Sequence, residues 1–376
     1  MKKDGISTMK VLHLNAGNDT GGGMTHILDL LENSDPTVFT LGIFEPGPIY
    51  QKALERGIRV KLFATKKRYD LSVIQRLKKY IEAEQMTMIH THGARANLYG
   101  YLLKKTSREC KWVTTLHSNP YDDFLNRGLK GKAFTKLHLW LLKHPDYYFA
   151  ISNRSKELLL SHGVDGSKVK TIFNGIDFNR QMQSCTLERK GLGLEANDFV
   201  IAMVARLTPV KGHRIALEAI SRVMAKAPQV KLLLIGDGFL EQELKAFVNN
   251  KGLAKQIKFL GYRQDIDALL QISDLHLLSS LSENFPIVLL EAARAKKPVI
   301  STDVGGVCEL IPSKDYGWLV PVKDVDALAL AIEEAINAHY VGSLKKIGEN
   351  LYKHASRWFS VEHFRENVMD AYKNWT

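Results

Sequence analysis

Short apolar runs alternate with amphipathic stretches along almost the whole chain. Residues 10–14, Lys-Val-Leu-His-Leu, read as a first buried strand. Apolar runs at 59–63, 87–90, 111–116, 147–151 and 169–173 predict further strands. A second series opens at 199–205. It continues at 231–235, at a strand ending near 259, and at 275–278, 297–301 and 317–320. Helical patterns separate most of these runs. Within 71–81, for example, Val73, Ile74, Leu77 and Ile81 share one face. Buried strands alternating with helices predict parallel sheets covered on both faces. The expected fold class is therefore α/β, with two similar doubly wound, Rossmann-like halves. Residues 178–198 lack a core pattern and contain Gly191 and Gly193, which places the linker there. The expected division is 1–178, 179–357 and a closing helical segment, 358–376.

A chain of 376 residues suits two or three domains, and 45% hydrophobic content is ordinary for a globular protein. Cys110, Cys185 and Cys308 are far apart and form no metal or redox spacing, which suits a reducing compartment. The first nine residues hold no apolar signal-peptide core, and no run approaches the ~18 apolar residues of a membrane span. A cytoplasmic protein is expected. Charge changes the picture more. Residues 1–180 hold 28 Lys and Arg against 17 Asp and Glu, which is +11 of the total +12. A basic half suits an anionic membrane surface, nucleic acid or an anionic substrate, or is a solvated surface. No helix-turn-helix, zinc-finger or stacked-aromatic module favours nucleic acid. Arg59, Lys61, Lys66, Lys67 and Arg68 cluster, followed by Arg76, Lys78 and Lys79. Arg127, Lys130, Lys132, Lys136 and Lys143 flank an apolar helical segment at 133–142.

The stretch 282–292, Ser-Glu-Asn-Phe-Pro-Ile-Val-Leu-Leu-Glu-Ala, carries the most specific chemistry. Pro286 suits the first position of a helix running to Ala295, and Phe285 before it cannot cap. The amides of Ile287, Val288 and Leu289 are then left without a side-chain acceptor. Orphan donors at the positive end of a helix dipole bind anions such as phosphate. Glu283 lies just before this helix and Glu291 within it.

Other strand ends supply partners, since ligands in such sheets bind beyond the carboxyl ends of strands. Arg206 and Lys211 lie five apart after the run 199–205, where a guanidinium fork and a point charge suit a diphosphate. Gly236 ends another run, and Gly261-Tyr262-Arg263 a third. Gly21-Gly22-Gly23 follows the first strand but does not spell a dinucleotide fingerprint. It is either a tight turn or a place where a ligand approaches the backbone. His90 and His92 form a His-x-His pair with no third ligand at usable spacing, so a structural or loop role is expected. His117 ends the run 111–116. Asp265-Ile266-Asp267 spells a possible metal pair, but acids in a first helical turn are explained by the helix dipole.

Glu283-x7-Glu291, with Arg206, Lys211 and the loops around them, resembles the family-4 retaining glycosyltransferases, nucleotide-sugar enzymes of the GT-B fold. The resemblance runs from Lys10 to about Trp358 and is most specific in the second half. Pro286 departs from it, standing where glycine is common. The resemblance implies two Rossmann-like domains facing across a cleft, with the final helix crossing back to the first. It implies a nucleoside-diphosphate-sugar donor, UDP-sugar in preference to GDP-sugar, and a carbohydrate or lipid-linked acceptor. It further implies retaining, metal-independent transfer of a hexosyl or N-acetylhexosaminyl group, with no cofactor. The setting implied is exopolysaccharide, cell-wall or glycolipid synthesis at the inner face of a membrane. Glu283 would hold sugar hydroxyls and Glu291 the ribose. Gly22 and Gly23 would face the diphosphate and acceptor, and His117 the sugar's reacting carbon. Tyr262 and Arg263 would lie by the base. Phe285, Pro286 and the amides at Ile287, Val288 and Leu289 would shape the diphosphate site, with Gly236 nearby. Two other classes fit the same residues: a nucleotide-sugar 2-epimerase of this fold, and a basic non-catalytic protein that binds a polyanion or a membrane.

Overall fold

The computed structural model describes residues 9–375, except Thr20, Asn33, Lys66, Arg68, Tyr69 and the segments 107–109, 122–127 and 183–186. The chain divides into two compact units. One runs to Gly175 and resumes at Val361; the other is Ile176–Ser360. The division falls a few residues from the sequence-based boundaries. Cys185, Lys66, Arg68 and Arg127 lie outside the described residues.

The first unit is built on a seven-stranded parallel sheet among the described residues, in the order β3-β2-β1-β4-β5-β6-β7. Its strands are β1 (Val11–Asn15), β2 (Phe39–Ile43), β3 (Val60–Leu62), β4 (Met88–His92), β5 (Lys111–Leu116), β6 (Tyr147–Ala150) and β7 (Val169–Thr171). The second unit holds a six-stranded parallel sheet, β10-β9-β8-β11-β12-β13. Its strands are β8 (Phe199–Val204), β9 (Val230–Ile235), β10 (Ile257–Phe259), β11 (Leu275–Leu278), β12 (Val299–Thr302) and β13 (Trp318–Val320). Both sheets reverse strand order once, between β1 and β4 and between β8 and β11. At such a switch point neighbouring connections leave on opposite faces and open a crevice for ligands.

The strands form because both of their faces are covered. Phe199, Ile201 and Met203 enter the core beneath the helices His213–Met224 and Val325–Tyr340, while Val200 and Ala202 are buried on the other face. Strand β2 was not evident in the sequence. Its run, Phe-Thr-Leu-Gly-Ile, carries a central glycine, which weakens a strand pattern. Packing explains that glycine: a Cβ on Gly42 would come within 2.8 Å of the Leu14 side chain and 3.0 Å of Phe63.

The last helix, Val361–Trp375, belongs to the first unit. Val361, Phe364, Val368, Ala371 and Tyr372 recur at helical spacing and are buried with Val11, Ile27 and Leu28. Fully burying a valine or phenylalanine side chain stabilises by roughly 1.5–3 kcal/mol.

Two expectations are corrected, and for His90 and His92 the structural role is the one found. Gly22 and Gly23 open the helix Gly22–Leu31 rather than lying in a loop. Its N-cap, Gly21, offers no side-chain acceptor, so these residues present helix-start amides. His90 and His92 lie inside β4, fully buried, because β1 and β5 pair with it to its last residue. Pro286 is itself the N-cap of the helix Ile287–Arg294, in place of Phe285.

Candidate active site

In the second unit the site is assembled at the carboxyl ends of β8 and β11. Beyond β8 the chain turns through Arg206 and Lys211 to Gly212, whose φ is +66°. A Cβ there would lie 2.0 Å from the Ser279 carbonyl oxygen, so only glycine brings the two strand ends this close. The Ser279 hydroxyl donates to the carbonyls of Lys211 and Gly212, both at 3.1 Å, and the Leu281 amide donates to Val210 O at 2.7 Å. These bonds fix the Lys211 turn against the Glu283 loop.

Lys211 Nζ donates to Glu283 Oε1, and the Ser280 hydroxyl donates to the same oxygen at 2.7 Å. Ser280 is held in turn, its carbonyl accepting from Thr302 Oγ1 at 2.6 Å. Arg206 is different. It is exposed, and its guanidinium has no partner among the described residues.

The helix Ile287–Arg294 has no side-chain cap. The Leu289 amide donates to Pro286 O at 3.1 Å, so Leu289 is removed from the expected donors. Ile287 and Val288 amides have no acceptor among the described residues. Phe285 is buried and stacks on Phe359 with ring centroids 5.2 Å apart. It anchors the loop instead of lining a ligand site. Pro286 is also buried, and Glu291 is half-buried on the helix that follows. Gly236, with φ at +134°, ends β9. A Cβ there would lie 2.2 Å from Ala205 O, so its backbone sits against the approach to Arg206. Tyr262 is 69% exposed, its ring uncovered. Arg263 pairs with Asp265, Nε to Oδ1 at 2.7 Å.

Both aspartates of the Asp-x-Asp sequence are engaged with guanidinium groups. Asp265 holds Arg263. Asp267 is buried and accepts from Arg180 at 2.9 Å and Arg294 at 2.7 Å.

Sequence reading missed Ser279, Ser280 and Thr302, which act through contacts that no local pattern encodes. It also missed Thr208 Oγ1 and Asn284 Nδ2, both buried and without a partner among the described residues. They belong to the Arg206 and Glu283 loops and are buried without a partner that the described residues supply.

In the first unit His117 follows β5, and Gly23 approaches it: a Cβ on Gly23 would lie 3.8 Å from the imidazole. His117 Nε2 is 2.8 Å from His92 Nδ1, and its ring meets His26 edge-on at 4.6 Å. Burial, then the charge of His26, holds the His117 pKa well below 6.5, so its imidazole is neutral at pH 7. A neutral imidazole suits hydrogen bonding, not charge stabilisation.

Two family models divide the chain between them. "Glycosyltransferase Family 4" matches residues 20–180 and "Glycosyl transferases group 1" matches 186–354. N-acetyl-alpha-D-glucosaminyl L-malate synthase of Bacillus anthracis is 30% identical over 271 residues, covering 69% of this chain and 68% of that one. UDP-Gal:alpha-D-GlcNAc-diphosphoundecaprenol alpha-1,3-galactosyltransferase of Escherichia coli is 27% identical over 270 residues, 70% of each chain. Among solved structures, Anabaena Alr3699/HepE in complex with UDP superposes with a TM-score of 0.85 at 24% identity, covering 97% of this chain and all of that one. The same protein in complex with UDP-glucose gives 0.82 at 25% identity, again over 97% of this chain. The two parallel sheets, the strand-end loops and these likenesses agree: the chain is a glycosyltransferase of the family-4 type, with the GT-B fold.

Proposed function

We propose that this enzyme transfers a hexosyl or N-acetylhexosaminyl group from a UDP-sugar to a carbohydrate or lipid-linked acceptor, with retention and without a metal. The observation that carries the reading is the grouping at the ends of β8 and β11. A free guanidinium, Arg206, and the open amides of Ile287 and Val288 accompany the Lys211–Glu283 pair. As the glycosidic bond breaks, negative charge grows on the departing diphosphate. Donors fixed in advance at that charge stabilise the transition state most. Arg206, Lys211 and the helix start supply them, so no divalent ion is required. The engagement of Asp265 and Asp267 with arginines supports the same conclusion.

Glu283 is already bonded to an ammonium and a hydroxyl, which makes it a poor covalent nucleophile and a good anchor for sugar hydroxyls. Substitution on one face, with the leaving phosphate taking the acceptor proton, is the course the family resemblance implies and this arrangement suits. Glu291 holds the ribose and Tyr262 covers the base. UDP and UDP-glucose in the Anabaena structures favour a uridine donor, and the E. coli relative's name favours a lipid-linked acceptor. No helix among the described residues is long and apolar enough to cross a membrane. The helix Gly128–Leu141 shows Leu129 84% and Trp140 44% exposed among Lys130, Lys132 and Lys136, which suits docking on the cytoplasmic face of an anionic membrane.

A thermal-shift screen of nucleoside diphosphates and their sugars tests the donor, because ligands bound to the native state raise its melting temperature. UDP and one UDP-sugar are expected to shift it most. The product's anomeric configuration by proton NMR tests retention. An epimer formed from donor alone, with no acceptor dependence, would replace transfer by epimerisation.

A further inference from the structure

Five histidines converge in the first unit. Parallel register sets His13 of β1 beside His90 of β4, and His92 lies two residues further along the same strand. His26 comes from the helix Gly22–Leu31, and His117 follows β5. His13, His26, His90 and His92 are almost wholly buried. Each imidazole carries two polar nitrogens, and each buried nitrogen needs a partner.

Most of them have one. His117 Nε2 meets His92 Nδ1 at 2.8 Å, and His92 Nε2 meets His13 Nδ1 at 3.0 Å. His13 Nε2 lies 3.4 Å from the Tyr372 hydroxyl, which meets His90 Nδ1 at 2.5 Å. His90 Nε2 ends the row at Thr115 Oγ1, 2.7 Å away. His26 breaks the pattern. Its Nδ1 donates to Asn174 Oδ1 at 2.7 Å, since an amide oxygen can only accept. The His26 proton is therefore on Nδ1, and Nε2 carries a lone pair. That lone pair is buried and has no partner among the described residues. One ring nitrogen from each of His26, His92 and His117 lies within 4.8 Å of the other two.

We infer that His26, His92 and His117 form a three-imidazole site for a divalent transition ion of the zinc type. The sequence analysis singled out the His-x-His pair and, separately, His117; the fold brings His26 and His117 to His92 from other elements. Imidazole suits zinc, and three nitrogens leave one coordination position open. The second shell is already in place for His26 and His92. His26 is oriented by Asn174. With His92 Nδ1 on the ion, its Nε2–H donates to His13 Nδ1. His13 then donates to Tyr372, Tyr372 to His90, and His90 to Thr115. Along this row every proton points away from the ion, and none has to leave the protein. Such partners fix the tautomer and the ring orientation of metal-binding histidines. The other buried triad, His13, His90 and His92, is less suited, because both nitrogens of His90 are committed to Tyr372 and Thr115.

A bound ion would occupy His117 Nε2 and turn the ring away from its resting bond. This consequence rests on the proposed place of His117 beside the reacting sugar. The ion is an inhibitor of transfer and plays no part in it.

Chelator-treated protein titrated with zinc chloride in a calorimeter is expected to take up one equivalent. X-ray absorption on the zinc-loaded wild-type protein is expected to read three imidazole nitrogens at ~2.0–2.1 Å. His26→Ala, checked for folding by circular dichroism, is expected to weaken uptake at least ~tenfold. No stoichiometric uptake, a sulfur or all-oxygen shell, or wild-type affinity in folded His26→Ala overturns the site. Stoichiometric uptake with unchanged transfer would retain the site and overturn the placement of His117 in the reaction.

Discussion

Lys211 and Glu283, 72 positions apart, form an ion pair in which each side chain is less than one-fifth exposed. The pair joins the turn after β8 to the loop after β11. It sets the direction of both side chains before any donor binds, so little reorganisation is left for the reaction itself.

Glu283→Gln is expected to keep the hydrogen bond from Ser280 and lose the ion pair. Removal of one preorganised group at a site of developing charge costs ~10²–10³ in turnover. Release of UDP in the presence of acceptor measures it. Turnover near wild type in a folded Glu283→Gln protein would take Glu283 out of the site.

Arg206 has no partner to lose among the described residues, so Arg206→Ala should leave the melting temperature unchanged. UDP affinity should fall, because a charge-assisted hydrogen bond contributes about 1.5–3 kcal/mol, roughly 10- to 100-fold in binding. Calorimetry with UDP separates the two effects. Equal affinity in variant and wild type would assign the diphosphate to other groups.

Transfer is expected to persist in EDTA. Asp267→Ala should instead act on stability, since it leaves the buried Arg294 guanidinium uncompensated. Loss of one partner from a buried pair costs about 3–5 kcal/mol. Urea unfolding reads that loss. Activity abolished by EDTA and restored by magnesium or manganese would reopen Asp265 and Asp267 as ligands.

The buried histidines make folding sensitive to acid. Burial lowers His13 to about 3 and His26 to about 4, from an ordinary value of 6.5. In the folded protein His13 stays neutral to about pH 4 and His26 until the pH nears 4, while their unfolded counterparts take up protons below 6.5. The stability they confer is therefore complete above pH 6.5 and declines below it. Each contributes a slope of ~1.4 kcal/mol per pH unit in that window. Urea midpoints at pH 7.5, 6, 5 and 4.5 (about these values) should drop progressively, and His13→Gln should lessen the drop. A flat profile would mean that these imidazoles are not neutral and buried.

Lys130, Lys132, Lys136 and Lys143 should tether the protein to anionic vesicles. Near such a membrane each contributes ~1 kcal/mol, screened within a Debye length. Arg59 contributes less than its place in the sequence suggests, because it pairs with Glu84 at 2.9 Å. Co-sedimentation is expected with anionic but not neutral lipid, and only at low salt. Equal pelleting with both would reduce the charge to solvated surface.

The sequence by itself determined the α/β class, the two doubly wound halves and most strand positions, because fully buried strands require continuous apolar runs. It also placed Arg206, Lys211 and Glu283 at strand ends, since those residues interrupt the runs where ligands bind. Strand β2 escaped because Gly42 answers to the crowding of Leu14 and Phe63, not to its own neighbours in the chain. The Lys211–Glu283 pair, the engagement of Asp267 by two arginines and the meeting of His26, His92 and His117 were decided by tertiary structure alone. Each depends on parallel register and on turns closed by glycines such as Gly212, which bring together groups that no local spacing relates.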